Sequence, residues 1–129
     1  MKVFLLPFGK INLLESNIAE IIINDGVVLD ETMIIKYRKL LQSHLETPFS
    51  LLINKEHGYS YTFGAQLAMG KLDDVIAFRA VVVYSNSAKM ATQIVMDVNK
   101  NNNWQMKIFR ERHLAIDWLL LNQNNKSAM

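Results

Sequence analysis

Cysteine is missing from all 129 residues, which removes disulfides, thiolate nucleophiles and thiolate metal sites at once. The absence also fits a reducing compartment. No apolar run reaches the roughly 18–20 residues that span a bilayer. The chain opens with Lys2 and a short apolar run broken by Pro7, without the longer apolar region and small-residue cleavage site of a signal peptide. A cytoplasmic protein is expected. Charge of one sign is scarce too: the formal net charge is +2, and the lysines and arginines are scattered. No basic block exists to track phosphates, so no nucleic-acid partner is expected. Neither G-x-x-x-x-G-K-[ST] nor G-x-G-x-x-G occurs, so both nucleotide fingerprints are missing. The three histidines, His44, His57 and His113, include no pair four apart and no H-E-x-x-H. No metal site and no cofactor are expected.

What remains is the pattern of an ordinary globular domain. Half the residues are hydrophobic and 20% are charged, enough to bury a core in one domain spanning residues 1–122. Two β-branched runs, Lys10–Glu15 and Ile18–Asn24, flank a tight Ser16-Asn17 turn and predict a hairpin. Asp30 is a good N-cap for a helix over Glu31–Leu45, with Met33, Ile34, Tyr37, Leu41 and Leu45 on one side. Phe49–Ile53 is continuously apolar, as a strand buried on both faces must be.

A short helix follows over Thr62–Met69, capped by Ser60 or Thr62. Val75–Tyr84 reads as the central strand. The next helix is capped by Asn86 or Ser87 and places Met90, Ala91, Ile94, Val95 and Val98 inward. Trp104–Phe109 is a closing strand, and Arg112 to Asn122 a closing helix with Leu114, Ala115, Trp118 and Leu119 inward. Residues 123–129 form a polar, frayed tail. The order β-β-α-β-α-β-α-β-α predicts an α/β domain with four helices and a mixed, mainly parallel five-stranded sheet, its opening hairpin at or near an edge.

Three stretches carry a family resemblance: LLINKEHGYSYTFGAQ (Leu51–Gln66), AVVVYSNSAKMATQ (Ala80–Gln93) and KIFRERHLAIDWLL (Lys107–Leu120), the last with an A-x-x-W-L helix at Ala115, Trp118 and Leu119. Together they resemble the SpoIIAA-like proteins, small bacterial relatives of the STAS and CRAL-TRIO domains, over about Lys10 to Leu121. The resemblance implies a non-enzymatic regulatory module that binds a protein partner. Family members that antagonise anti-sigma factors carry a phosphorylated serine directly after an aspartate at the end of the third strand. Here that strand ends in Asn54-Lys55-Glu56, and the first serine beyond it is Ser60, which becomes the candidate modification site. The CRAL-TRIO relatives bind lipids, but this chain lacks the helical length to enclose an acyl chain.

The candidate site follows from topology. Strands that run parallel end on one rim, which collects Asn24, Asn54, Lys55, Tyr84 and Ser85, with Tyr59, Ser60 and Tyr61 beside them. A cation such as Lys55 beside two tyrosines can hold a phosphate or carboxylate; a solvated loop lysine is the plainer alternative. Tyr59 and Tyr61 alternate around Ser60, which puts both rings on one wall of a pocket or interface. Asn24, Ser60 and Asn86 serve equally as caps and turns.

Ser60 and His57 lack a G-x-S-x-G elbow and an orienting carboxylate, and Asp73-Asp74 reads as turn chemistry. Met90 is expected in the core and Met96 on a partner or dimer surface. The leading expectation is therefore a STAS-like module that binds a protein partner. Its rival is a binder of a small anionic or lipid-like ligand in the same crevice. An enclosed apolar pocket of about 300 Å³ or more beneath Tyr59 marks the ligand case, and exposed Tyr61 and Met96 mark the partner case. A homodimer is expected on general grounds.

Overall fold

The computed structural model describes residues 2–71, 75–102 and 104–127. Its first strand, β1 (Val3–Leu6), is additional to the five expected. Phe4 and Leu6 pack against the core, an alternation of period two within a run too short for a periodicity reading. The chain returns as β2 (Gly9–Glu15), antiparallel to β1 with Leu6 opposite Gly9. The Ser16-Asn17 turn then leads into β3 (Ile18–Ile23), antiparallel to β2 with Ile11 opposite Ile21. The expected hairpin is thus two strands of a three-stranded meander. Gly9 is required there, because a Cβ would lie 2.4 Å from the Ile22 carbonyl oxygen.

After the Asn24-Asp25-Gly26 turn come the short β4 (Val28–Leu29) and helix α1 (Glu31–His44). The Asp30 side chain accepts from the Met33 N–H at 2.9 Å, the cap that the sequence predicts. Ile34, Tyr37 and Leu41 are buried along α1, as expected, together with Arg38. Strand β5 (Phe49–Lys55) follows, then β6 (Ser60–Tyr61), helix α2 (Phe63–Lys71), β7 (Ile76–Val83), helix α3 (Asn86–Val98), β8 (Gln105–Phe109) and helix α4 (Arg112–Ser127). The sequence pair Asp73-Asp74 lies outside the described residues.

Among the described residues the main sheet is six-stranded, in the order β1-β2-β3-β5-β7-β8, with every pair from β3 to β8 parallel. A second, two-stranded sheet pairs β4 with β6 in parallel. The α/β class and four helices stand; the strand count rises from five to six. One core layer lies under α1, α2 and α3, where Ile34, Tyr37, Ala65 and Val95 meet Ile21, Phe49 and Leu51. The other lies under α4, where Ala115 and Leu119 meet Leu52, Ala80 and Val82. Burying each large side chain of these layers contributes about 1.5–3 kcal/mol.

Two helices differ from expectation. On α3, Met90 and Ile94 are 64% and 56% exposed, while Thr92 and Val95 face inward and Met96 is half-buried. Polar anchors set this rotation: the Thr92 hydroxyl meets Lys55 at 2.8 Å, and the Asn99 side-chain amide donates to the Gln66 carbonyl at 3.0 Å. A count of apolar spacing does not register such bonds. Helix α4 runs on to Ser127 instead of fraying after Asn122. Gln123 is buried, its Nε2 donating to the Pro48 carbonyl at 2.7 Å and its Oε1 accepting from the Ser50 hydroxyl.

Candidate functional site at the carboxyl rim

Register fixes the rim. Lys55 lies opposite Val83 in the parallel β5–β7 pair, and Ile22 lies opposite Asn54 in β3–β5. Asn24, Asn54, Lys55 and Tyr84 therefore occupy one end of the sheet. Residues adjacent in a strand face opposite sides, so Asn54 and Lys55 part company.

Asn54 turns toward α4, where it donates to Glu20 Oε2 at 2.8 Å. Glu20 is buried in the middle of β3 and also accepts from Asn12 Nδ2 at 3.1 Å and from Arg112 Nε and Nη2 at 2.8 and 2.9 Å. Burial alone raises the Glu20 pKa, but the hydrogen bonds from Arg112, Asn54 and Asn12 and the Arg112 charge outweigh it, and the net shift is downward. Asn54 belongs to this clamp between sheet and helix. It does not face the cleft.

Lys55 turns the other way, toward α3. It is only 8% exposed, which overturns the solvated-loop alternative. Its Nζ donates to Thr92 Oγ1 at 2.8 Å, and the Thr92 hydroxyl donates on to the Ala88 carbonyl at 2.8 Å. The ammonium sits 5.6 Å from the Tyr59 ring centroid and 5.1 Å from that of Tyr61, within the range of cation–π attraction. The two phenols contact each other, 3.1 Å between oxygens with rings edge to face. The alternation around Ser60 thus does put both rings on one wall.

Among the described residues no carboxylate forms a salt bridge with Lys55. Burial pushes its ammonium down to about 8, because a low-dielectric surrounding penalises the charged form. Burial pushes Tyr59 and Tyr61 up, so both remain neutral phenols.

The loop from Glu56 to Tyr59 is pinned. Gly26, at φ 77°, donates its N–H to the Gly58 carbonyl at 2.7 Å, and the Gly58 N–H donates to Asp25 Oδ1 at 3.2 Å. The Ser60 N–H is committed to the Val27 carbonyl at 3.0 Å, while the residue is exposed in β6. Thr62, rather than Ser60, caps α2, accepting from the Ala65 N–H at 3.0 Å. Ser85, one residue before the expected caps, caps α3 by accepting from the Ala88 N–H at 3.1 Å. Arg110 donates to Asn86 Oδ1 at 2.7 Å.

Two spaces meet at Lys55. Inward lies an enclosed cavity of about 30 Å³, lined by Lys55, Tyr59 and Tyr61 with Arg38, Arg79 and Trp104. It has room for a water-sized molecule, so among the described residues the space beneath Tyr59 falls short of the roughly 300 Å³ that marks the ligand case. Outward lies an open cleft of about 360 Å³ between the loop and the start of α3, lined by Lys55, Glu56, His57, Tyr59, Tyr84 and Ser85, among others. Of the eight rim residues singled out in the sequence, Lys55, Tyr59, Tyr84 and Ser85 line this cleft. Tyr61 lies beneath it, Asn24 and Ser60 stand outside its lining, and Asn54 faces the opposite layer.

No family model, curated protein or solved structure matches this chain. Among the described residues no helix is long and apolar enough to cross a membrane.

Glu20, Asn12, Arg112 and Thr92 do not stand out in the sequence as site residues. A lone charge inside Ile18–Ile23 was the available signal for Glu20, since a strand buried on both faces must satisfy any carboxylate it carries. Thr92 had a weaker one, a hydroxyl one turn from Ala88 on a helix of mixed pattern.

Proposed function

We propose that this domain binds a small anionic ligand in the cleft between the Glu56–Tyr59 loop and the first turn of α3, with Lys55 as its cation. The supporting observation is Lys55 itself: a residue that lines the open cleft, with a buried ammonium held by one hydroxyl and two phenol rings at the inner cavity beneath it. A buried charge without a carboxylate partner is unfavourable on its own, and an incoming carboxylate or phosphate supplies the missing countercharge. Tyr84, Ser85 and Ser87 line the same cleft; the first turn of α3 carries no acidic side chain, and Glu56, the one carboxylate of the described lining, stands 3.5 Å from His57. The small enclosed volume beneath Tyr59 argues against a lipid-like ligand.

The test is equilibrium binding of inorganic phosphate and of lactate, followed by NMR shifts of the Lys55, Ser85 and Ser87 resonances. Lys55→Met, which keeps the apolar stem and removes the charge, should abolish the shifts. Shifts that survive the substitution, or that map elsewhere, contradict the reading.

A second reading, the STAS-like module that binds a protein partner, is favoured by a different observation. Two helices each leave an apolar pair one turn apart in solvent: Phe63 and Leu67 on α2, Met90 and Ile94 on α3. Tyr61 and Met96, the expected markers of such a face, are not exposed. A partner seated on α3 should lose affinity with Met90→Ser and Ile94→Ser and keep it with Lys55→Met. A regulatory switch at Ser60 requires that residue to be modified in protein from its native cell, which mass spectrometry reads directly.

A further inference from the structure

We propose that two copies of this chain pair antiparallel through β1, about a twofold axis at Phe4, so that their six-stranded sheets become one continuous sheet. The inference concerns a different face from the cleft and does not depend on Lys55, since no residue of β1 lines that cleft.

β1 is an end strand, and among the described residues nothing pairs with its outer side. Backbone hydrogen bonds decide which of its residues face outward. The Leu13 N–H donates to the Lys2 carbonyl at 2.9 Å. The register continues from there with Val3 opposite Asn12, Phe4 opposite Ile11 and Leu5 opposite Lys10. In an antiparallel ladder, opposed residues alternate between pairs that exchange hydrogen bonds and pairs that do not. Lys2, Phe4 and Leu6 therefore bond inward to β2, while Val3 and Leu5 aim both N–H and C=O at the open edge. The side chains of the same two residues stand in solvent, Val3 52% and Leu5 81% exposed. An uncharged edge with large apolar side chains is a template for another strand.

Register names the occupant. Val3 and Leu5 are two residues apart, so a twofold axis at Phe4 sets Val3 of each copy opposite Leu5 of the other. That arrangement uses every outward donor and acceptor of both strands. An axis at Leu5 instead brings Pro7 opposite Val3, and proline has no N–H to give. Directly opposed residues share a face, so each row on one face reads Lys10, Leu5, Val3, Asn12 across four strands, with the apolar pair in the middle. The two Lys10 side chains fall in different rows, three strand spacings or roughly 14 Å apart, beyond the screening length at physiological salt. On the other face the two Phe4 rings meet at the axis, each resting on its own His44 at 4.2 Å between centroids.

The opposite edge of the sheet lacks this fit. β8 carries the exposed Lys107 at its centre, and pairing about that residue opposes two like charges. A pairing of four-residue strands falls below the roughly 1,200 Å² of standard interfaces, so the dimer is reversible and forms as concentration rises.

The chain has no cysteine, which allows a register-specific test on the full chain. Opposed residues that exchange hydrogen bonds lie about 5.5 Å apart at Cα, within disulfide reach, whereas diagonal neighbours lie about 7–8 Å apart, outside it. Val3 of one copy is opposed to Leu5 of the other and only diagonal to the other Val3. A mixture of Val3→Cys and Leu5→Cys should therefore cross-link at least about tenfold faster under mild oxidation than either variant alone.

Sedimentation of the unmodified chain from about 1 µM to 1 mM should show monomer giving way to dimer. Leu5→Glu places a carboxylate beside Lys10 in the monomer and against Val3 in the dimer, and should weaken association by at least about tenfold. Val3→Pro removes an outward N–H that β2 does not use and should do the same. A chain that stays monomeric up to about 1 mM, equal cross-linking of the mixture and the single variants, or a dimer that survives both Leu5→Glu and Val3→Pro overturns the proposal.

Discussion

Arg112 grips Glu20 with two N–H groups, Nε on one carboxylate oxygen at 2.8 Å and Nη2 on the other at 2.9 Å, tying the first residue of α4 to the middle of β3. The carboxylate is buried and Arg112 is 44% exposed. Removing the arginine therefore leaves an acid inside the fold with only amide donors. Arg112→Ala should cost about 2 kcal/mol in urea unfolding, below the roughly 3–5 kcal/mol for breaking a fully buried pair because water reaches the arginine side. Glu20→Gln made in the Arg112→Ala background should recover part of the loss, since the charge that needed a partner is then gone.

The same carboxylate sets an acid response. Its folded pKa lies below the ordinary 4.5, so the stability it contributes is fully present above about 4.5 and fades as pH falls through the lower folded value. Thermal unfolding of the wild type should therefore weaken between pH 5 and the acid limit more steeply than that of Glu20→Gln. Parallel curves for the two proteins contradict the clamp.

Lys55 has the opposite consequence. Its folded pKa of about 8 lies below the ordinary 10.5, so the unfolded chain holds that proton more tightly. The penalty is complete below pH 8 and shrinks as pH rises toward 10. Above about 10 the raised tyrosine values reverse the trend, because the unfolded phenols ionise first. At pH 7, Lys55→Met should stabilise the fold by about 1–3 kcal/mol, and the advantage should narrow between pH 8 and 10. Chemical denaturation at a series of pH values reads both effects. A destabilised Lys55→Met contradicts an amine buried without countercharge.

Gln123 supplies a test of the carboxyl-terminal helix. It serves the Pro48 carbonyl and the Ser50 hydroxyl, both at the start of β5. Gln123→Ala strands those buried groups and should cost about 2 kcal/mol. Asn124→Ala, one residue on and exposed, should change stability by less than about 0.5 kcal/mol. Equal effects at the two positions mean that the helix end carries no structural weight.

The parallel core is legible in the sequence because strands buried on both faces read as apolar runs, and Phe49–Ile53 and Ala80–Val83 are such runs. The Asp30 cap and the α1 face follow from spacing alone. Strand β1 escapes because four residues beside Pro7 are too few for a period to emerge. Polar side chains that bond across distant segments escape for a different reason. Gln123 reads as tail and Thr92 as filler until β5 is placed beside both. The rim was legible as a place, but the face each residue takes depends on register. Asn54 and Lys55 differ by one position and serve opposite layers.

An NMR titration of the Lys55 side chain tests the buried amine most directly, following its Cε and Nζ resonances with and without lactate. Lys55 should titrate near pH 8 in the free protein, well apart from the exposed lysines, and its midpoint should move upward when the anion binds. A midpoint with the other lysines near 10.5, unmoved by the anion, contradicts both the buried amine and the site built around it.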